Sequence, residues 1–254
     1  MSGRLTRGTL LKVALRANLL QSTWNFERQQ GVGWAYALQP VLEALYGNDA
    51  TRRARLAEHT AYFNTQPTLA SLALGVAARL EEERAGGTGP DEAGMARVKA
   101  ALGSALAALG DRLFWFSLRP FAAAIGVLVA LAHPEAPWGA LVLWVVYAIP
   151  HLGVRFMGVR WGYAQGPAVL GGRLRRNLEG AVSLLGYAGC VVLGVLVAYS
   201  LAPGGEMRSI AVQSALAAGL GLGLLSAQRA RPSPTQWALG LGVLILLAAW
   251  WRQG

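Results

Sequence analysis

The 254-residue chain has one cysteine, three histidines and a low charged fraction, 14%, where an ordinary soluble domain carries roughly 25%. A lone Cys190 excludes an intrachain disulfide and a cysteine metal cluster, and within an apolar stretch it reads as a small packing residue. His59, His133 and His151 complete the set of candidate phosphoryl carriers, and none stands in a recognisable pattern of nucleophile and base. A glycine-rich phosphate loop with lysine is missing, as is any cluster with metal-ligand spacing. The chain is therefore read as no enzyme, with no cofactor and no catalytic residue of its own. Residues 1–20 lack the long apolar run of a secretory signal, being cut by Lys12 and Arg16, so the N-terminus is expected to stay cytoplasmic.

What the chain does have is apolar surface. Hydrophobic residues make up 54% and the mean hydropathy is +0.37. A bilayer core about 30 Å thick takes roughly 20 apolar residues in a helix, and the windows 113–132, 138–157, 180–202, 209–227 and 235–251 meet that length. The first is interrupted by Arg119 and Pro120, the second by Pro150, His151 and Arg155. The expectation is an all-α polytopic membrane protein with about five hydrophobic helices in its C-terminal half, some of them broken.

The formal charge of +10 is uneven: residues 1–111 hold 12 basic against 10 acidic side chains, and residues 112–254 hold 11 against 3. In a soluble protein a basic half suggests nucleic acid, but here the positive-inside rule accounts for it and no nucleic-acid partner is expected. Arg155, Arg160, Arg173, Arg175 and Arg176 flank one connection, and Arg229 and Arg231 another. The connections at 133–137 and 203–208 hold one arginine between them and should face outward. Five crossings then put the C-terminus outside, with Trp250 and Trp251 in the aromatic belt.

Residues 1–110 are organised differently and are taken as an amphipathic and re-entrant region ahead of a membrane-spanning region, 111–254. Segments 9–20, 34–46, 51–63 and 68–84 place apolar residues at helical spacing beside polar ones, each too short or too interrupted to span alone. Gly86, Gly87, Gly89 and Pro90 mark a connection, with Pro90 placed to open a helix over 91–109. Small residues recur on later spans, Gly219, Gly221, Gly223, Gly240 and Gly242 among them, as in closely packed membrane helices.

Four polar clusters compete for function. On a helix Trp24, Asn25 and Arg28 share one face, while Glu27 and Gln30 reach a neighbouring one. Amides, carboxylates and an aromatic ring are the parts of a sugar site; the same residues also suit a buried polar knot joining two helices. In the second cluster, after His59, Asn64 or Thr65 is placed to cap a helix that begins near Pro67. The third, Glu81, Glu82, Glu83 and Arg84, reads as a solvated helix end, with docking of a basic partner as the alternative. The fourth sets Asp111, Trp115 and Arg119 on one helical face ending at Pro120, which should break the helix. A charge at a broken helix in a membrane is a functional-site candidate by default.

Taken in order, these motifs carry a family resemblance. Leu19, Leu20 and Gln21 leading into Trp24-Asn25-Phe26-Glu27-Arg28, then Phe63-Asn64-Thr65-Gln66-Pro67, Glu81-Glu82-Glu83, Gly110-Asp111, Phe114-Trp115 and Leu118-Arg119-Pro120 resemble the IID component of the mannose/fructose/sorbose family of phosphotransferase-system sugar permeases. Val154-Arg155 through Gly162-Tyr163 continues the likeness over almost the whole chain. The resemblance implies an obligate IIC partner in the bacterial inner membrane and a hetero-oligomer of IIC and IID pairs with elevator-like movement. The pair would move a hexose, phosphorylated by a cytoplasmic IIB subunit that IIA charges. The residues it marks as binding sugar, or as holding the IIC interface, are Trp24, Asn25, Glu27, Arg28, Gln30, Asn64, Asp111, Trp115 and Arg119.

Three positions depart from the family pattern, which usually has His at Gln66, a Gly-Pro pair at Ser104-Ala105 and Arg at His151. Gln66 keeps hydrogen-bonding capacity but cannot titrate. Ser104-Ala105 removes a bend. These departures support an alternative, a non-transporting scaffold or regulatory membrane subunit derived from such a permease.

Overall fold

The computed structural model describes residues 5–201, with backbone alone for 197–201. Every named element in it is helical. Thr6 opens α1 (Arg7–Arg16) by accepting from the Thr9 amide, and the helix tightens into a 3₁₀ turn at Ala17–Leu19. Its apolar side, Leu10, Val13 and Ala14, is buried against α2 (Gly31–Leu45). Asn48 caps α3 (Asp49–His59), a polar surface helix whose one buried residue is His59. The segment expected to be helical to position 63 thus ends at His59, and residues 61–63 run into a bridge.

The centre of the molecule is α4 (Ala70–Ala85), with 11 buried residues among its 16. Its cap is neither Asn64 nor Thr65. Gln66 supplies it, its Oε1 accepting from the amides of Thr68 at 2.7 Å and Leu69 at 3.0 Å. The longer glutamine side chain reaches two orphan amides at once, while Thr65 is already committed elsewhere. α4 crosses α7 (Trp138–Gln165) at backbone contact: a Cβ on Gly162 would lie 2.0 Å from the Leu72 carbonyl oxygen.

Asp91, rather than Pro90, starts α5 (Glu92–Gly110): its carboxylate accepts from the Gly94 amide at 2.7 Å. The expected break at Arg119 and Pro120 does not occur. The chain instead widens into a π-helix over Asp111–Leu118 and continues without interruption as α6 (Arg119–Ala132), with Pro120 directly after the widened turns. Pro150 likewise lies inside α7 without ending it. Pro150 itself is exposed, and the helix runs on around the missing donor, in keeping with a bilayer's demand for internal backbone hydrogen bonding.

Among the described residues, three helical runs are long and apolar enough to cross a membrane: Glu92–Ala132, Trp138–Leu170 and Arg173–Leu196, the last within α8 (Arg173–Leu201). They carry the first three expected windows; those at 209–227 and 235–251, with their glycines and the C-terminal tryptophans, lie outside the described residues. Ile149 and Leu184, 68% and 69% exposed, show where these helices turn apolar surface outward. One apolar core, from Leu5 to Val169, joins the short N-terminal helices to α5 and α7.

Candidate functional site

Residues 21–30 do not form a helix, so the shared helical face of Trp24, Asn25 and Arg28 is overturned. Asn25 is the reason. Its side-chain oxygen accepts from the Arg28 amide at 2.8 Å, and its backbone pairs with Gln29, which takes a left-handed conformation at φ +53°. A short polar side chain that bonds its own backbone competes with the helix and wins here. The turn presents Trp24 edge-on to Phe26, ring centres 5.0 Å apart, with Phe26 88% exposed. Glu27 and Arg28 are also exposed, 3.9 Å apart, and Arg28 donates to the Thr60 hydroxyl at 3.3 Å.

Gln30 is different, being buried. Its amide donates to the Thr65 carbonyl at 2.8 Å and accepts from the Thr65 amide at 3.1 Å, so it clamps the 63–67 segment rather than facing a ligand. The Gln30 backbone donates to Phe63, and the Thr65 hydroxyl donates to the Gly103 carbonyl of α5. A Cβ at Gly31 would lie 2.4 Å from the Ala61 carbonyl oxygen, so glycine permits this approach. The first two clusters therefore form one stitched surface.

Below it lies a buried polar network that sequence reasoning missed. Trp34 donates to His59 Nδ1 at 3.2 Å, which places the ring proton on Nε2, and Nε2 donates to Glu81 at 3.1 Å. Tyr46 donates to the other Glu81 oxygen at 2.7 Å. Both His59 and Glu81 side chains are fully inaccessible. Burial holds the His59 imidazole below its ordinary range, so it is neutral. Burial alone would raise Glu81, but the hydrogen bonds from His59 and Tyr46 and the nearby Arg84 charge outweigh it and keep the carboxylate ionised. Glu58 receives Arg55 and Arg84, and Lys99 donates to the His59 carbonyl at 3.3 Å while facing the Trp34 ring at 5.5 Å.

Glu81 to Arg84 is thus no solvated helix end. Glu82 accepts from the Leu5 amide and the Tyr163 hydroxyl, and Glu83 pairs with Arg79. The signal was present in register: Leu74, Ala77, Ala78 and Glu81 follow the buried helical stripe, so the carboxylate had to point inward.

Between α3 and α5 a cavity of about 400 Å³ opens beside this network, lined by Asn64, Lys99 and Ser104 among others. Of the nine predicted residues only Asn64 lines it. Glu27 and Arg28 border a shallower hollow nearby, which shares Glu58, Ala61, Tyr62 and Glu92 with the cavity wall. Asp111 and Trp115 lie apart on the π-helical stretch and Arg119 at the start of α6, with the Arg119 guanidinium 5.0 Å from the centre of the Trp115 ring and Trp115 44% exposed. The link between the two regions is Gln66, whose Cβ would lie 2.6 Å from a Cβ on Gly110, just ahead of Asp111.

The family described as the PTS system mannose/fructose/sorbose family IID component matches residues 4–203. The mannose-specific EIID component of Escherichia coli K12 is 36% identical over 199 residues, 76% of this chain and 68% of that protein. The fructose permease IID component of Bacillus subtilis is 35% identical over 198 residues, 76% and 70% of the two chains. The cryo-EM structure of the mannose transporter ManYZ with microcin E492 aligns with a TM-score of 0.60 at 28% identity, covering 98% of this chain and 97% of the other. With the membrane helices, these likenesses place the chain in the mannose/fructose/sorbose family of phosphotransferase-system IID components, membrane subunits for sugar transport.

Proposed function

We propose that this IID subunit assembles with a IIC subunit in the bacterial cytoplasmic membrane, and that the pair carries a hexose of the mannose, fructose or sorbose class. A IIB subunit charged by IIA phosphorylates the sugar, so the phosphoryl chemistry resides on the partners. The N-terminus lies in the cytoplasm and the C-terminus outside, as the arginine distribution suggests. The family match over residues 4–203 carries the reading, and the long-range alignment with ManYZ supports it.

Within that complex Trp24, Asn25, Glu27 and Arg28 act at the IIC interface. A stitched turn that exposes two aromatic rings has the chemistry of a protein anchor. Gln30 holds the turn in place. Asp111 and Trp115 on the π-helical stretch, and Arg119 at the start of α6, meet IIC or sugar. The scaffold alternative loses its footing, since Gln66 serves as a helix cap and Ser104-Ala105 lies within an unbroken helix. Glu27→Gln and Arg119→Ala variants test the assignment: each is expected to lower hexose uptake at least severalfold, and normal uptake with an intact IIC complex would count against these roles.

A further inference from the structure

The cavity beside the buried network has an electrostatic imbalance that the transport reading does not use. Among the described residues the network holds three cations, Arg55, Arg84 and Lys99, against two carboxylates, Glu58 and Glu81, with His59 neutral. Glu58 is engaged by both arginines, and Glu81 by His59, Tyr46 and Arg84. The surplus charge is therefore on Lys99, which is 5% exposed and lines the cavity.

Hydrogen bonding shows the same surplus. An ammonium has three N–H donors, and Lys99 spends one, on the His59 carbonyl at 3.3 Å. Buried donors and a buried net charge both call for an oxygen-rich anion. Glu92 at the cavity wall does not supply it: its side chain is exposed, lies in the first turn of α5, and is screened by water.

We propose that this cavity binds a small phosphorylated polyol of the hexose-phosphate class. Its phosphate accepts from the free Lys99 donors, and its hydroxyls meet Asn64 and Ser104. Tyr62, 63% exposed, stands at the wall to cover the ring. The volume, about 400 Å³, suits a ligand of that size. This inference rests on the transport reading, in which such a phosphate is the chemical product, and assigns the chain a product-sensing or product-release site.

The test is calorimetric titration of the purified IIC–IID complex with hexose 6-phosphate, the free hexose and inorganic phosphate. The expected result is saturable binding of hexose 6-phosphate, weaker competition by inorganic phosphate, and at least tenfold loss of hexose 6-phosphate binding in Lys99→Met. Ser104→Leu fills the cavity without touching the buried charges, and should lose the same binding while the complex elutes normally. Free-hexose affinity should be unchanged in both variants. No binding of hexose 6-phosphate, or equal binding by wild type and Ser104→Leu, overturns the inference. So does a free-hexose affinity that falls in parallel, since the cavity would then read neutral sugar. Because the titration reads binding, it decides the inference whether or not the complex transports, and uptake decides the transport reading separately.

Discussion

His59 shows how one side chain is given a fixed chemical state by its neighbours. Trp34 from α2 occupies Nδ1, Glu81 from α4 occupies Nε2, and the Lys99 ammonium from α5 sits on its carbonyl. Protonating the ring would cost the Trp34 hydrogen bond and add charge beside Lys99. The folded chain thus binds fewer protons at His59 than the unfolded chain does, so stability rises with pH up to the ordinary histidine value of 6.5 and falls below it. Glu81 is also depressed, so its contribution is present above 4.5 and is lost on further acidification. Thermal unfolding of the detergent-solubilised protein should show a midpoint that is flat near neutrality and declines below 6.5. His59→Gln should remove that upper phase and leave the lower one. The sequence offered His59 as an isolated histidine and Glu81 as one of a solvated acidic run, because each finds its partner on a different helix, and that pairing depends on tertiary packing.

The helices themselves were largely legible, because apolar periodicity and cap chemistry are local. α1 through α5 lie close to the expected segments. Breaks were harder to read. Pro120 and Pro150 signal interruption in a soluble helix, yet here one falls directly after a π-helix and the other on the exposed side of a long apolar helix. The 21–30 turn failed in the opposite direction, since Asn25 bonding its own backbone cancels a helical face that spacing alone supports. Two element-scale tests follow from the contacts. Gln66→Ala removes the cap of α4 and should cost about 1 kcal/mol, read as a lowered unfolding midpoint. Gly162→Leu forces a side chain into the Leu72 carbonyl and should cost about 1–3 kcal/mol or more, with poor recovery of folded protein from membranes. A Gly162→Leu variant as stable as wild type would show that α4 and α7 do not cross this closely.

At the scale of the whole molecule, the described chain is a small-residue helix crossing surrounded by apolar helices whose outer faces are exposed. That surface and the family match together describe a membrane subunit for sugar transport. Family membership was readable from motif order. The role of each motif was not, because Gln30 clamps a loop, Asn64 lines a cavity and Arg119 faces a tryptophan, three outcomes that spacing cannot separate. The most direct measurement is uptake of labelled hexose, with phosphoenolpyruvate as donor, in cells carrying the matching IIC, IIB and IIA with and without this chain. Accumulation of hexose phosphate only when the chain is present, with the chain co-purifying with IIC, is the predicted result; equal accumulation without it would contradict the account.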